Sequence, residues 1–227
     1  MPVPHLFTSR DLELREDPGE WSAVAASLGV ASERLLLITQ VHGIQAAMAR
    51  RDVAWMRPQA DIIATADPSV AIGVRVADCA PVLLYDAVRN VAGAAHAGWR
   101  GTAAGAAGAA VRALHEEFGS RGADLIAAIG PCLGRCCGEV GPEVVEAFRA
   151  GGATPGSMSA WFTPGSGDRS YLDLESANRD QLIGAGVRSE AIFASGLCTK
   201  THSTRLHSYR AERTNAGRLL GAIRVRS

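Results

Sequence analysis

The sequence predicts an α/β or α+β fold, on three observations. Short runs rich in Val, Ile, Leu and Ala recur along the chain, each stopped by Gly, Pro, Asp or Thr, the mark of strands buried on both faces. Between several of them lie longer stretches whose apolar residues fall at helical spacing. The chain has 227 residues, 47% of them hydrophobic, enough for one sizeable core, and no linker interrupts it, so residues 1–227 are read as a single domain.

In order, residues 5–8 are read as a strand and 18–28 as an amphipathic helix with Trp21, Val24, Ala25 and Leu28 on one face. Residues 35–38 form a continuous apolar run that breaks at Thr39-Gln-Val-His-Gly43. A short strand around Ile62 and Ile63 precedes a Val- and Ile-rich strand at 71–77, which breaks at Asp78-Cys-Ala-Pro81. Strands follow at 82–85 and 91–95, the second leading into His96-Ala-Gly-Trp-Arg-Gly101 and a long Ala-rich helix over 102–118. Residues 125–129 are another strand. A helix begins at Pro142, a good first helical residue. Residues 151–168, rich in Gly, Pro and Ser, are expected to form a mobile loop. A helix at 174–185 and strands at 192–194 and 219–225 complete the chain, the last two separated by a polar segment, 198–218.

Composition narrows the function. Lys plus Arg and Asp plus Glu both total 23, so the formal charge is zero and no basic footprint for nucleic acid or an anionic membrane is present. The first residues lack an apolar core of signal-peptide type, no run reaches the length of a membrane span, and a cytoplasmic protein is expected. The 5 cysteines are odd in number and clustered, unlike a disulfide framework. Cys132, Cys136 and Cys137 suggest a structural zinc site, but no second Cys pair at ribbon spacing completes it. They are expected to line the turn after the 125–129 strand rather than to bind metal.

A residue of metal-ligand type stands at the end of three predicted strands: His42, Cys79 and His96. Catalytic zinc takes three such ligands and keeps a fourth position open, which suits hydrolysis, deamination and group transfer. Arg100, at the start of the predicted 102–118 helix, is placed to grip an anion with two donors beside free backbone N–H groups. The competing role for Arg100 is to pair with Asp78 and brace the turn. In the polar segment, His202, His207, Tyr209 and four arginines (Arg205, Arg210, Arg213, Arg218) point to a loop near a site.

Five blocks, Thr39-Gln-Val-His-Gly43, Ala77-Asp-Cys-Ala-Pro-Val82, His96-Ala-Gly-Trp-Arg-Gly101, Ile129-Gly-Pro-Cys-Leu-Gly-Arg-Cys-Cys-Gly-Glu-Val-Gly141, and Ser208-Tyr-Arg210 with Gly217-Arg218, together resemble the signature of the YfiH/LACC1 family. That family is also called the multicopper polyphenol oxidase or purine nucleoside phosphorylase family. The resemblance implies mixed β-sheets packed together with helices on the outside. It implies a zinc-dependent enzyme that phosphorolyses adenosine, inosine, guanosine or methylthioadenosine and deaminates adenosine in the same site. The metal ligands would be His42, Cys79 and His96, which would also be the catalytic residues, with Gln40, Arg100, Tyr209 and Arg210 on the nucleoside and phosphate.

Three departures bear on the pocket. Phe7-Thr-Ser-Arg10 runs directly to Asp11-Leu12 without the family's Gly-rich segment, Gly138 stands for a tyrosine, and Leu206-His207 for two aromatics. Zinc is preferred to copper because a multicopper site needs many histidines, often in His-x-His pairs, and this chain has 6 with no such pair. The alternatives are a metal-free cysteine hydrolase, with Cys79 as nucleophile and His96 as base, and an editing role on cell-wall precursors.

Overall fold

The structure, a computed structural model, describes residues 1–50 and 53–226. Strand β1 (His5–Phe7) and helix α1 (Pro18–Ser27) open the chain, followed by β2 (Leu35–Leu37), β3 (Ala46–Ala49), β4 (Ile62–Thr65), β5 (Ala71–Val76), β6 (Ala80–Asp86) and β7 (Val91–Ala97). Helices α2 (Trp99–Ala103) and α3 (Ala106–Phe118) lead to β8 (Leu125–Ile129), β9 (Glu139–Val140), α4 (Pro142–Ala150), α5 (Pro155–Trp161), β10 (Phe162–Pro164) and β11 (Ser170–Leu172). Helix α6 (Leu174–Gly184), β12 (Ile192–Ala194), α7 (Tyr209–Glu212) and β13 (Leu219–Ile223) follow.

The strands form a six-stranded mixed sheet in the order β12-β8-β6-β7-β4-β3, a four-stranded mixed sheet in the order β1-β13-β5-β2, and a small antiparallel sheet, β10-β11-β9. Strand alternation explains how the two larger sheets stack. On β6, Leu83 and Tyr85 join Ile72 and Val74 of β5 and Ile223 of β13 in an apolar layer between the sheets. Val82 and Leu84 face the other way, into a core shared with Ala107, Ala110, Val111 and Leu114 of α3 and Leu182 of α6. Every residue of β6 and β7 is therefore buried, which is why both read as continuous apolar runs. On the outer face of the four-stranded sheet, Val24 of α1 packs with Leu28, Ala71, Leu220 and Ala222. The outcome is the mixed-sheet α+β architecture with helices outside.

The structure corrects the element boundaries in several places. The expected 102–118 helix is two helices, because Gly105 adopts φ 85° and breaks the turn between them. Helix α2 starts at Trp99, so Arg100 lies inside a helix of 5 residues rather than ahead of a long one. The expected loop at 151–168 contains α5 and β10. Its Trp161 is buried and donates from Nε1 to Asp180 at 2.7 Å, and Thr154 caps α5 by accepting from the Ser157 N–H. Strands β3, β9 and β11, of 4, 2 and 3 residues, are too short to show any periodicity in the sequence. Among the described residues no helix is long and apolar enough to cross a membrane.

Candidate metal centre

Three chain segments converge where the two large sheets end. The turn after β2 brings His42, the turn between β5 and β6 brings Cys79, and β7 brings His96, which sits within the strand opposite Pro81. One ligand atom from each of these three side chains lies within 4.8 Å of the others. His96 is buried, Cys79 partly so, and His42 is exposed, which leaves the group open on one side. The imidazoles meet edge to face with centroids 4.8 Å apart. Gly98 makes room for them, since a Cβ there would stand 2.8 Å from the Cys79 sulfur and 3.4 Å from the His42 ring.

A residue that the sequence pattern did not single out holds this arrangement. Asp61, fully buried just ahead of β4, accepts from the backbone N–H groups of Val41, His42 and Gly43 at 3.2, 2.9 and 2.6 Å, and lies 2.7 Å from Nδ1 of His96. An ionised carboxylate only accepts, so Nδ1 carries the proton and Nε2 is free for a ligand. His42 adopts φ 63°, a left-handed backbone that costs a non-glycine residue about 1–3 kcal/mol, and the Asp61 bonds hold it there. The one clue in the sequence is an acidic residue at the head of a strand with no exposed face.

Asp78 has a comparable task. Its backbone is also left-handed, φ 84°, and its carboxylate accepts from Thr199 Oγ1 at 2.6 Å, Ser208 Oγ at 2.7 Å and the Arg210 backbone N–H at 2.6 Å. The polar 198–218 segment is thereby pinned to the turn that presents Cys79. Arg100 does not brace that turn through Asp78; its guanidinium lies 4.2 Å from the Trp99 ring centroid.

Charges within the group reinforce one another. Burial pushes the Cys79 thiol up, but hydrogen bonds and charge from His42 and His96 outweigh it and bring the pKa down to about 7. Burial likewise opposes the His96 imidazolium, but Asp61 and Cys79 prevail and raise it to about 9. For Asp61, burial is again outweighed by His96 and by the donors of residues 42 and 43, and its pKa is lowered. Free of metal, the pair is therefore a thiolate beside an imidazolium. Two imidazoles, one thiolate, a carboxylate behind one imidazole and an open side are a donor set that fits a catalytic metal ion.

The group lies in the wall of a cavity of about 880 Å³. Gln40, Arg100, Tyr209 and Arg210 line the same cavity, as do Trp99, Leu133 and Leu174, whereas His202 and Arg205 do not. Gln40 uses both ends of its amide on the Arg75 backbone, at 2.7 and 2.8 Å, and so ties the His42 turn to β5. Arg210 donates from Nη1 to the carbonyls of Cys137 and Glu139. Tyr209 and Arg100 are exposed at the cavity. Gly138 lines the cavity, whereas Leu206 and His207 are buried outside it, with Leu206 against Val76 and Leu219 and His207 Nε2 3.0 Å from the Leu12 carbonyl.

Of the arginines flagged in the polar segment, Arg210, Arg213 and Arg218 line the cavity and Arg205 does not, whereas Arg57 and Arg75 were missed by sequence reasoning. Arg57, Arg75, Arg213 and Arg218 join Arg100 and Arg210 around the cavity, with Asp78 the sole acid among the described lining residues. Burial, then the charges of Arg57 and Arg218, lower the Arg75 pKa, as expected of a cation held among cations. Such a ring raises the local concentration of anions.

The chain is similar to several known proteins. A purine nucleoside phosphorylase of Deinococcus radiodurans is 35% identical over 97% of this chain and 88% of its own length. The adenosine deaminase RL5, from an unknown prokaryotic organism, is 32% identical over 88% of this chain and 78% of its own. Among solved structures, the hypothetical protein YfiH of Bacillus licheniformis superposes with a TM-score of 0.86 at 28% identity, covering 92% of this chain and 80% of that one. With residues 19–226 matching the family described as multi-copper polyphenol oxidoreductase laccase, the chain belongs to that family, the YfiH/LACC family.

Proposed function

We propose that the protein is a cytoplasmic, zinc-dependent purine nucleoside phosphorylase that also deaminates adenosine. The observation that carries this reading is the convergence of His42, Cys79 and His96 in the wall of a cavity ringed by arginines. Relatives named for both activities support it, and five free thiols accord with a reducing compartment.

His42, Cys79 and His96 would hold the ion. When bound, zinc with an open fourth position supplies a Lewis acid or an activated water. The protein's own groups do the rest. Asp61 keeps the His96 Nδ1 proton in place so that Nε2 stays directed at the centre. Trp99, Leu133 and Leu174 offer an apolar wall for a purine and displace water from it. Arg100 grips phosphate with its planar fork, backed by Arg75, Arg210 and Arg218. Because α2 is only 5 residues long, these side chains, and not a helix dipole, hold the anion. Phosphorolysis then needs phosphate at the ribose C1′, while deamination of adenosine needs none.

The hydrogen bonds among Cys79, His96 and Asp61 favour one alternative, a metal-free Cys-His-Asp hydrolase. Metal analysis and a nucleoside screen with and without phosphate separate the two. We expect one firmly held zinc at this centre, free base and ribose 1-phosphate only with phosphate present, ammonia from adenosine without it, and loss of all activity with a chelator. Activity that survives complete removal of metal would instead favour the hydrolase.

A further inference from the structure

The chain carries a second group of converging soft ligands that shares no residue with the first. Cys136 and Cys137 stand in the turn between β8 and β9, and Cys198 lies 61 residues after Cys137 in sequence, yet one sulfur from each lies within 4.8 Å of the others. The Cys136 and Cys137 sulfurs are 3.7 Å apart. The sequence shows only two of these three residues together, because Cys198 reaches the turn through a fold contact. Cys132 and Cys198 form an isolated parallel bridge, with the Thr199 N–H donating to the Cys132 carbonyl at 2.9 Å and the Cys132 N–H to the Leu197 carbonyl at 3.3 Å.

We propose that Cys136, Cys137 and Cys198 form a second metal site, a three-thiolate cradle for a soft d10 cation, zinc(II) or copper(I).

Several features of the geometry support this. Sulfurs bound about 2.3 Å from a common ion lie roughly 3.8–4.0 Å from one another, close to the 3.7 Å between Cys136 and Cys137, and Cys198, within 4.8 Å of both, needs a shift of about 1 Å at most to close the site. Both backbone segments that carry the sulfurs are fixed: the 198 segment by the bridge to Cys132, and the turn by the Cys137 N–H donating to the Gly134 carbonyl at 3.0 Å and by Arg210 on the Cys137 carbonyl. Gly134 leaves the space a cradle needs, since a Cβ there would lie 3.0 Å from the Cys198 Cβ, 3.5 Å from its sulfur and 3.6 Å from the Cys136 sulfur. The backbone N–H groups of Gly134 and Thr201 donate to the Cys198 sulfur, the pattern that holds a thiolate ligand. Cys136 is exposed and Cys198 buried, so an ion can enter from solvent and the outward coordination position falls to water. Three converging thiols also suit an ion better than a disulfide, which would leave one sulfur over.

Binding replaces the thiol protons with one ion, and those protons pass to solvent, so no oxidant or reductant is consumed. The ion would lock the 134–138 turn to the 198–201 segment. Leu133 and Gly138 line the cavity and Thr199 bonds Asp78, the neighbour of Cys79, so the lock would stiffen the wall beside the first centre.

The test removes the first centre and asks whether the second persists. Reduced, chelator-stripped Cys79→Ala protein should still take up zinc, and anaerobically copper(I), to a level near one ion per chain. Adding Cys136→Ser should abolish that uptake while the melting curve of the stripped protein stays unchanged. In the otherwise native chain, Cys136→Ser alone should lower the metal content by one ion and weaken the thiolate-to-metal charge-transfer band of the cobalt(II) form. If Cys79→Ala binds neither ion, or if Cys136→Ser leaves native metal content intact, the site does not exist. A Cys136–Cys198 or Cys136–Cys137 disulfide that persists in reductant would also overturn it. Because the site shares no ligand with the first centre, this outcome is independent of whether the proposed enzymatic function holds.

Discussion

The cavity has two ends built on different principles. At the end proposed to hold the ion, each side chain is over-determined: His96 lies inside a fully buried strand, His42 is held in a left-handed backbone by Asp61, and Cys79 is packed beneath Gly98. At the arginine end, Arg57, Arg100 and Arg213 are exposed, and Arg75 and Arg218 are only partly covered. A metal ion demands fixed donors, because the cost of bringing loose ligands together is subtracted from binding. An anion among several guanidinium groups can be met by more than one subset of them. The metal end should therefore fail abruptly on single changes, and the arginine end by degrees.

Cys79→Ala is the severest test of that contrast. It should remove the ion from the first centre and both activities, while a circular-dichroism melt shows the fold intact, because the core of β6 and β7 does not depend on the sulfur. Retained activity would sink the role of the centre.

Acidity should come next. Between pH 7 and 9 the metal-free site holds the Cys79 thiolate and the protonated His96, so each bound ion must expel the His96 proton. Zinc affinity should then rise about tenfold per pH unit up to about pH 9 and level off above it. In the metal-free protein the signs differ. The His96 contribution to stability is complete below its unfolded pKa and is lost as pH rises through about 9. The Cys79 contribution is complete above its unfolded pKa and is lost as pH falls through about 7. Melting temperatures across this range, with and without zinc, would expose a flat profile if the pairing is wrong.

Asp61→Asn keeps the shape but can present an N–H where His96 needs an acceptor. Zinc affinity should fall about 10–100-fold, as for the loss of a carboxylate behind a ligating histidine, and the melting temperature should fall with it. A drop in melting temperature with unchanged affinity would make Asp61 a brace only.

At the other end the effects should be smaller. Arg100→Ala should cost about 2 kcal/mol, roughly thirtyfold, in phosphate-dependent turnover and spare deamination. Arg75→Gln should cost about threefold, because neighbouring guanidinium groups substitute for it and salt screens the remainder. Equal losses in both reactions from Arg100→Ala would move that residue out of the phosphate site.

The metal end was legible in the sequence because strand interiors are apolar, so a His or Cys that interrupts or ends such a run stands out. His42, Cys79 and His96 all do. Asp61 was harder to see, since an aspartate beside a turn is commonplace and only burial distinguishes this one. The arginine end was partly hidden: Arg100, Arg210, Arg213 and Arg218 stood in flagged segments, but Arg57 and Arg75 look like ordinary solvated charges, and Arg75 nears Arg218 only through the pairing of β5 with β13. Cys198 was invisible as a partner of Cys136 for the same reason. Local pattern also misjudged 151–168, where Gly and Pro suggested a loop, although Pro155 starts a helix and Trp161 anchors it in the core.

The order of strands in the smaller sheet has a consequence for how the chain matures. Strand β13 sits between β1 and β5, pairing His5 with Ile223 and Val76 with Leu219. During synthesis β1 and one edge of β5 must wait unpaired until residues 219–223 have left the ribosome, and Arg218 joins the cavity only with that strand. Contacts so distant in sequence make for slow folding and leave open sheet edges to other chains meanwhile. Nascent protein is therefore exposed to aggregation late, and a ribosome stalled before β13 would release a chain that carries all three ligands of the first centre but lacks the strand that closes the sheet beside it.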